Sequence, residues 1–349
     1  MQVTDFRCLP SATLELDARL TLIIGPNASG KTSLLEALYV LGRGRSFRTR
    51  RLEHLIRRGR ERFVVYGEIT ADERRVAMGI EGSKEGMRAQ VAGQRAASLA
   101  ELALLFPVQI IDPEIHRLIE EGPSRRRRFL DWGVFHVEPR FVDDWQRFQT
   151  TLKQRNAALK ARQGEGTIRA WDHDLVRYGE RIAEARTRYV GRLGERAGPM
   201  IQNLLGQELG LSHRPGWVRE LSYAEALQQS WSQDQDTGLT QVGPHRAELA
   251  IRLNDLAVKD RISRGQQKLL AAGLALAQME LFPQDSPVRP TLLLDDPAAE
   301  LDDERLTRLI AEVTGQSVQL VVTALHPGLS QLGAPGARYR IAEGQLTLD

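Results

Sequence analysis

A glycine-rich segment near the start of the chain constrains the fold more than any other feature. It follows the apolar residues 20–24 and precedes residues 32–41, where leucines recur at helical spacing. The segment consists of Gly25, Pro26, Asn27, Ala28, Ser29, Gly30, Lys31 and Thr32, with Ser33 next. This is the pattern G-x-x-x-x-G-K-[ST], a phosphate-binding loop between a buried strand and a helix. It predicts an α/β fold of the P-loop class.

The chemistry of this loop indicates a nucleoside triphosphate. Glycines allow backbone N–H groups to face phosphate oxygens, and the following helix adds the positive end of its dipole. Lys31 is expected to reach the β- and γ-phosphates, and Thr32 to bind Mg²⁺. A plain glycine turn is the alternative, which the flanking strand and helix disfavour. We therefore expect ATP and Mg²⁺ as cofactors, held by the whole loop and Ser33.

Two carboxylates end a second apolar strand at residues 291–294. The acids are Asp295 and Asp296. A buried parallel strand presents such acids at its carboxyl edge, next to a phosphate loop. Asp295 is expected to hold Mg²⁺ through water, and Asp296 to orient or deprotonate the attacking water. In isolation the pattern is weak, since an Asp after a strand often only caps the next helix.

A third motif, Ser-Arg-Gly-Gln-Gln-Lys at residues 263–268, opens a helix rich in Leu and Ala. Ser263 is a natural N-cap, and the free N–H groups behind it form an anion site. A capped helix is the simpler interpretation of this motif alone. However, the order of the motifs along the chain is that of an ABC-type ATPase, in which this motif completes the site of a second subunit. We therefore expect Ser263, Gly265 and Gln266 to bind nucleotide across a dimer.

Two further candidates depend on the same order of motifs. Gln109 occupies the position of the glutamine that senses Mg²⁺ and the γ-phosphate; a strand glutamine with polar neighbours is the alternative. His326, after strand residues 320–323, occupies the position of a switch residue that touches the γ-phosphate; an ordinary surface residue is the alternative. Residues 299–302 occupy the position of the subunit-contact loop.

The charge distribution bears on the partner more than the net charge does. The 349 residues carry a net charge of +3, which alone does not indicate nucleic acid. Arginine is dense over residues 43–62 and 117–192, with four consecutive arginines at 125–128. These four could contact phosphates, or form a solvated helix face or pack against the acidic C-terminal segment. No signature of sequence-specific DNA recognition is present.

The single cysteine, Cys8, excludes an internal disulfide and fits a reducing compartment. We expect it to be a buried apolar residue. The first residues lack the pattern of a signal peptide, and no window reaches ~18 consecutive apolar residues. We therefore expect a cytoplasmic protein without a membrane partner.

These motifs together resemble the RecF family, bacterial recombination and replication-repair ATPases related to the SMC heads. The resemblance runs nearly end to end. It is further carried by Phe6-Arg7, Leu34-Leu35-Glu36-Ala37, Arg45-Ser46-Phe47-Arg48, Phe129-Leu130-Asp131-Trp132-Gly133, Leu152-Lys153-Gln154-Arg155-Asn156 and Val242-Gly243-Pro244-His245-Arg246. Ala28 departs from the usual Gly of the family, Ala299 from the usual Ser, and Pro297 follows the acid pair. The last two departures put head-to-head contact in doubt.

The resemblance implies an ABC/SMC-head-like P-loop ATPase domain with an inserted helical lobe. We predict the head from residues 1–117 and 236–349 and the lobe from 118–235. The resemblance also implies Arg7 at the nucleotide, an ATP-dependent homodimer, and sequence-independent binding to duplex DNA and single-strand/duplex junctions. RecO and RecR are the implied partners, with recombinase loading at gaps as the implied role. A weak, DNA-stimulated ATPase is expected, because Asp296 is one methylene shorter than the Glu of transporter cassettes.

Two other functions fit the ATPase motifs. A transporter-type cassette would need a coupling surface for a membrane domain, which the arginine-rich insertion does not suggest. A structural tether would need a coiled coil of several hundred residues, and the insertion is far too short at ~1.5 Å per residue. A response of ATP affinity or turnover to DNA would separate the first reading from these two.

Overall fold

The chain packs as two units in a computed structural model that describes residues 1–71, 74–258, 261–283, 286–299, 301–326, 328 and 330–349. The first, here called the sheet unit, comprises Met1–Ile115 and Gln284–Asp349. The second, here called the helical unit, comprises His116–Pro283.

Within the described residues, three sheets and a set of helices make up the two units. The strands are β1 (Gln2–Phe6), β2 (Leu9–Thr13), β3 (Leu20–Ile24), β4 (Arg62–Ala71), β5 (Arg74–Ser83), β6 (Gly86–Val91), β7 (Gln94–Arg95), β8 (Val108–Ile111), β9 (Leu209–Arg214), β10 (Glu248–Leu253), β11 (Leu256–Ala257), β12 (Thr291–Asp295), β13 (Gln319–Ala324), β14 (Ala337–Ala342) and β15 (Gln345–Leu348). The helices are α1 (Lys31–Arg43), α2 (Leu99–Leu105), α3 (Arg117–Glu120), α4 (Pro123–Val137), α5 (Phe141–Lys160), α6 (Glu165–Arg169), α7 (Asp172–Leu205), α8 (Tyr223–Gln229), α9 (Trp231–Thr237), α10 (Arg264–Glu280) and α11 (Asp303–Thr314).

One sheet of the sheet unit is mainly parallel, in the order β15-β14-β3-β13-β12-β8. The strands from β14 to β8 are parallel and β15 is antiparallel. Every residue of β3 and β12 is buried, as expected for parallel strands covered on both faces. The apolar runs at residues 20–24 and 291–294 therefore form central strands, as the sequence predicts.

Helix α1 is the centre of the sheet unit. It contacts strands of the parallel sheet and of the antiparallel sheet β2-β1-β4-β5-β6-β7. All its residues except Thr32 and Arg43 are buried, because its apolar side chains face two sheets rather than one. The helix that follows the phosphate loop is thus held on both sides.

The helical unit is built on the long helix α7. Arg155 of α5 contacts Asp172 at the start of α7, and Asp144 near the start of α5 contacts Arg181. Partners late in one helix are therefore early in the other, which confirms the antiparallel pair predicted across residues 163–166. None of the described helices is long and apolar enough to cross a membrane.

Two features differ from the sequence prediction. A helix predicted to continue to Leu209 ends at Leu205, because Gly206 takes a left-handed conformation with φ 65° and closes the helix. Residues 209–214 instead form β9, which pairs with β10. This pairing, and the packing of α10 on α7, places residues 236–283 in the helical unit rather than with the ATPase domain in which we expected them.

Candidate nucleotide-binding site

The phosphate loop and the acid pair lie at the same edge of the parallel sheet. Ile24, the last residue of β3, is level with Ala324 of β13, and Asp295 of β12 is level with Thr323. The loop begins directly after Ile24. Parallel strands present their carboxyl ends at one edge, so the sheet topology brings together two motifs that are far apart in sequence.

The loop needs unusual backbone geometry at several positions. Gly30 has φ 111° and Ala28 has φ 62°, a left-handed conformation that costs an alanine roughly 1–2 kcal/mol. A side chain at Gly25 would clash with the Ile341 carbonyl oxygen. The N–H of Gly344, in the β14–β15 turn, donates to the Ser29 carbonyl at 3.0 Å. The turn therefore fixes the loop from behind.

Lys31 carries a buried cation that meets only carbonyl oxygens of its own loop. Its Nζ donates to Gly25 at 2.6 Å and to Pro26 at 3.0 Å. The Ser29 hydroxyl is also buried and has no hydrogen-bond partner among the described residues. These are donors that a phosphate group would accept. The residues present therefore fit a triphosphate.

Asp295 is held by two hydroxyl groups at the sheet edge. The Thr32 hydroxyl lies 2.9 Å from Asp295 Oδ2, and the Thr323 hydroxyl donates to Oδ1 at 2.7 Å. The Asp296 N–H donates to the Thr323 hydroxyl at 3.1 Å, and Asp296 has φ 42°. Carboxylate and hydroxyl oxygens are the ligands that Mg²⁺ prefers. Thr32 and Asp295 are thus placed together as the sequence predicts.

Thr323 is a residue that the motif analysis missed. It is fully buried and joins both acids through one hydroxyl. Its signal in the sequence is weak, a threonine near the end of an apolar strand. Only the register of β13 against β12 shows that it is level with Asp295.

Gln109 does not reach this edge. It is level with Leu292, three residues before Asp295, and it is buried within β8. At about 3.3 Å per residue it lies about 10 Å back along the strands. The expectation that Gln109 binds the metal or senses the γ-phosphate therefore disagrees with the register, and Asp112 is the residue that follows β8 at this edge.

His326 lies two residues beyond the end of β13 and is exposed. It follows a strand that ends beside the loop, and its switch role stays a prediction. In the expected subunit-contact loop, Glu300 lies outside the described residues. Asp302 caps α11 through the Arg305 N–H at 2.9 Å.

Arg7 is bound by a buried carboxylate of α1. Its guanidinium donates to both Glu36 oxygens at 2.8 and 2.7 Å, and Glu36 also accepts from the Ser46 hydroxyl. Next to it, the Cys8 thiol lies 3.5 Å from the Ser33 hydroxyl. Cys8 is exposed rather than buried, because it sits in the β1–β2 turn against the start of α1.

The Ser263 motif lies in the helical unit and forms a capping box. The Ser263 hydroxyl accepts from the Gln266 N–H at 3.3 Å, and the Gln266 side chain accepts from the Ser263 N–H at 3.0 Å. Ser263 is exposed, as a residue that contacts a second subunit must be. The Gln266 side chain, in contrast, is engaged by its own helix.

The four consecutive arginines at 125–128 are largely engaged within the helical unit. Arg126 donates to both Glu248 oxygens at 2.7 and 2.9 Å. Arg127 donates to the Ala247 carbonyl at 2.8 Å, and Arg125 to Glu121 at 2.8 Å. The run therefore fastens α4 to the start of β10. Its acidic partners are within the helical unit, not in the C-terminal segment.

Two fully buried arginines explain other motifs of the chain. Arg155 donates to Asp172 and Asp234, each at 2.7 Å, and to Thr240. Arg186 donates to Asp131 at 2.8 Å and to the Pro244 carbonyl at 2.7 Å. The segments 129–133, 152–156 and 242–246 thus meet these arginines inside the helical unit and are structural.

Comparison with known proteins agrees with this architecture. The family described as RecF/RecN/SMC N terminal domain matches residues 1–342. The DNA replication and repair protein RecF of Pectobacterium atrosepticum is 38% identical over 350 residues, 99% of this chain and 97% of that protein. A solved structure of the recombination mediator protein RecF-ATP in the RecFOR pathway matches with a TM-score of 0.90 at 28% identity, over 100% of this chain and 96% of that one.

The Smc head domain of Pyrococcus furiosus matches with a TM-score of 0.60 at 16% identity, over 100% of this chain and 94% of that one, a likeness of fold alone. The expected ABC/SMC-head-like fold is confirmed. The chain belongs to the RecF family of DNA replication and repair proteins.

Proposed function

We propose that this chain is an ATP-switched DNA-binding protein of recombinational repair and replication restart. The observation that carries the proposal is the pairing of Thr32 with Asp295, beside a lysine that meets no carboxylate. A related solved structure is named as RecF-ATP, and curated relatives are named as DNA replication and repair proteins. The site chemistry and the family name support the same activity.

The roles of the residues follow from their contacts. Lys31 exchanges the carbonyls of Gly25 and Pro26 for phosphate oxygens. Thr32 and Asp295 would hold Mg²⁺, which neutralises the charge that develops on the phosphates. Asp296 orients or deprotonates the attacking water. With a short acidic side chain in this role, we expect slow hydrolysis that serves as a switch.

The second half of the switch is a second copy of the chain. Ser263 and Gly265 of one copy contact the nucleotide of the other, so ATP stabilises a homodimer. The dimer holds duplex DNA or a single-strand/duplex junction through phosphate contacts, without reading sequence. Hydrolysis releases the DNA. RecO and RecR are the proposed partners, and recombinase loading at single-strand gaps is the proposed role in the cytoplasm.

Fluorescence anisotropy of a labelled gapped duplex tests the proposal. Wild-type chain should bind with ATP and bind much more weakly with ADP. The affinity should fall steeply with salt, as phosphate contacts require. Lys31→Ala should bind equally weakly with either nucleotide. Equal affinity of the wild type with ATP, with ADP and without nucleotide would contradict the proposed switch.

A further inference from the structure

A cavity of about 570 Å³ lies within the helical unit, apart from the nucleotide site. Its walls are one side of α7, the end of β9, residues 215–221 and the start of α8. Its lining combines an aromatic ring with titratable groups, which makes it a candidate binding site. The proposed ATP switch does not use it.

His213, which lines the cavity, presents a hydrogen-bond acceptor without a donor. The ring is 2% exposed, and its Nδ1 lies 2.9 Å from the Thr187 hydroxyl. That hydroxyl donates its only hydrogen to the Ala183 carbonyl at 2.8 Å. Nδ1 must therefore carry the proton, and Nε2 is an acceptor. Nε2 has no partner among the described residues.

The charge state of His213 agrees with this assignment. Burial, with the charges of Arg186 and Arg219, lowers its pKa to about 3. The ring is therefore neutral at pH 7. A buried acceptor without a donor is destabilising, and such an atom in a native structure indicates a role.

Two carboxylates on α7 line the same cavity. Glu180 and Glu184 are one helical turn apart, where like charges repel. Within the part of the chain that the structure describes, neither makes a hydrogen bond or an ion pair. Their arrangement would be stabilised by a cation placed between them.

The arginines of the cavity do not meet that demand. Arg188 is bound to Glu138 at 3.1 Å, and Arg219 donates to the His213 carbonyl at 3.1 Å. The groups left without partners are therefore acceptors and negative charges. This excludes an anionic ligand and favours a cationic donor.

The aromatic group of the cavity suits one cation best. Trp217 lines the cavity and stacks on Tyr223, with ring centroids 4.5 Å apart and 15° between planes. Tryptophan is the strongest aromatic partner of a cation, and a planar guanidinium both stacks and donates along several directions. Beside it, Val218 is 59% exposed, so an apolar neighbour of the cation would also find a contact.

We propose that this cavity is a docking site for an arginine side chain that a partner protein presents. The guanidinium would lie against Trp217, pair with Glu180 and Glu184, and donate to His213. An apolar residue next to the arginine would cover Val218. The site is independent of ATP, so a partner could engage the helical unit in every nucleotide state.

The test uses the full chain labelled with 5-fluorotryptophan, which reports its 5 tryptophans by ¹⁹F NMR. The Trp217→Phe variant assigns the Trp217 signal. The probe is acetyl-Gly-Arg-Gly-amide, and the matched control is the same peptide with neutral citrulline. We expect a saturable shift of Trp217 with the arginine peptide, with a dissociation constant on the order of 1 mM, and none with citrulline.

Variants separate binding from folding. The double variant Glu180→Gln, Glu184→Gln should bind the arginine peptide at least about tenfold more weakly. Glu195→Gln, an exposed residue elsewhere on α7, should bind normally. His213→Phe should lose affinity without losing thermal stability, because an unpaired buried acceptor is removed. No Trp217 shift, an equal shift with citrulline, or full affinity of the double variant would overturn the proposal.

Discussion

Both units of this chain bury charged side chains, and they treat them in opposite ways. In the sheet unit, Lys31 meets only main-chain carbonyls and Asp295 meets only hydroxyls, with no opposite charge on either among the described residues. In the helical unit, Arg155 lies between Asp172 and Asp234. A buried charge without a counter-ion is unfavourable. The first arrangement therefore prepares for a ligand, and the second holds the fold together.

This difference gives a rule for reading arginine and lysine in the two units. Charges at the edge of the parallel sheet remain unneutralised because the nucleotide and metal complete them. Charges between helices are neutralised within the chain. A substitution at the sheet edge should therefore change activity more than stability, and one in the helical interior should do the reverse.

Arg155→Ala should have the largest effect on stability. It leaves Asp172 and Asp234 without their cation, and removal of one partner from a buried ion pair costs about 3–5 kcal/mol. Urea unfolding measures the loss. Arg192→Ala, an exposed arginine on α7, should change the free energy of unfolding by less than about 0.5 kcal/mol. Similar small losses for both variants would break the comparison.

Lys31→Ala should have the largest effect on activity. The loss of a positioned cation should lower ATP turnover by about 10²–10³-fold. The free energy of unfolding should not decrease, because an unpaired buried charge is removed. Phosphate release and urea unfolding measure the two quantities, with Lys153→Ala, exposed on α5, as the control. Normal turnover in Lys31→Ala would remove the site assignment.

Thr323→Val should have an intermediate effect on the same site. The valine keeps the shape but loses the hydroxyl that joins Asp295 and Asp296, and loss of such a supporting contact lowers activity by about 10–100-fold. The affinity for ATP should change less, because the lysine and the loop are unaltered. Turnover and equilibrium ATP binding measure the two effects. Thr347→Val, exposed on β15, should behave as wild type; equal turnover of both variants would exclude a role for Thr323.

Acid should weaken the helical unit through two buried histidines. Burial, with nearby arginines, lowers the pKa of His213 to about 3, and burial lowers that of His245 to about 4. Between these values and an unfolded pKa of about 6.5 the unfolded chain binds more protons, so stability is present above pH 6.5 and is lost as pH falls.

The expected slope is about 1.4 kcal/mol per pH unit for each histidine. Urea unfolding between pH 7.5 and pH 5 measures it. His213→Phe should reduce the slope by one histidine's share. A stability that stays constant over this range, or an unchanged slope in the variant, would contradict the assignment of two neutral buried rings.

The nucleotide site was largely predictable because its signals are local. A strand, a glycine loop and a helix follow one another at residues 20–43, and an apolar strand ends in Asp295. Sheet topology then brings the two together. Thr323 and Gln109 were not predictable, since their positions depend on the register between strands that are distant in sequence. The register brings Thr323 to the acids and leaves Gln109 behind them.

The helical unit was less predictable for a related reason. The sequence shows that residues 125–128 are basic but not which side chains lie opposite them. Glu248, which binds Arg126, is far along the chain. Residues 209–214 follow a long helical pattern, and only Gly206 and pairing with β10 make them a strand. Local pattern predicts an element's type, and tertiary contacts decide its partners.

The central claim is that ATP joins two copies through Ser263. Light scattering of the Asp296→Asn variant, in which hydrolysis is blocked, tests it most directly when mass is measured with and without ATP and duplex DNA. The account predicts a monomer without ATP, a dimer with ATP that DNA strengthens, and a monomer throughout once Ser263→Arg is added. A monomer with ATP and DNA, or a normal ATP-dimer in the Ser263→Arg variant, would contradict it.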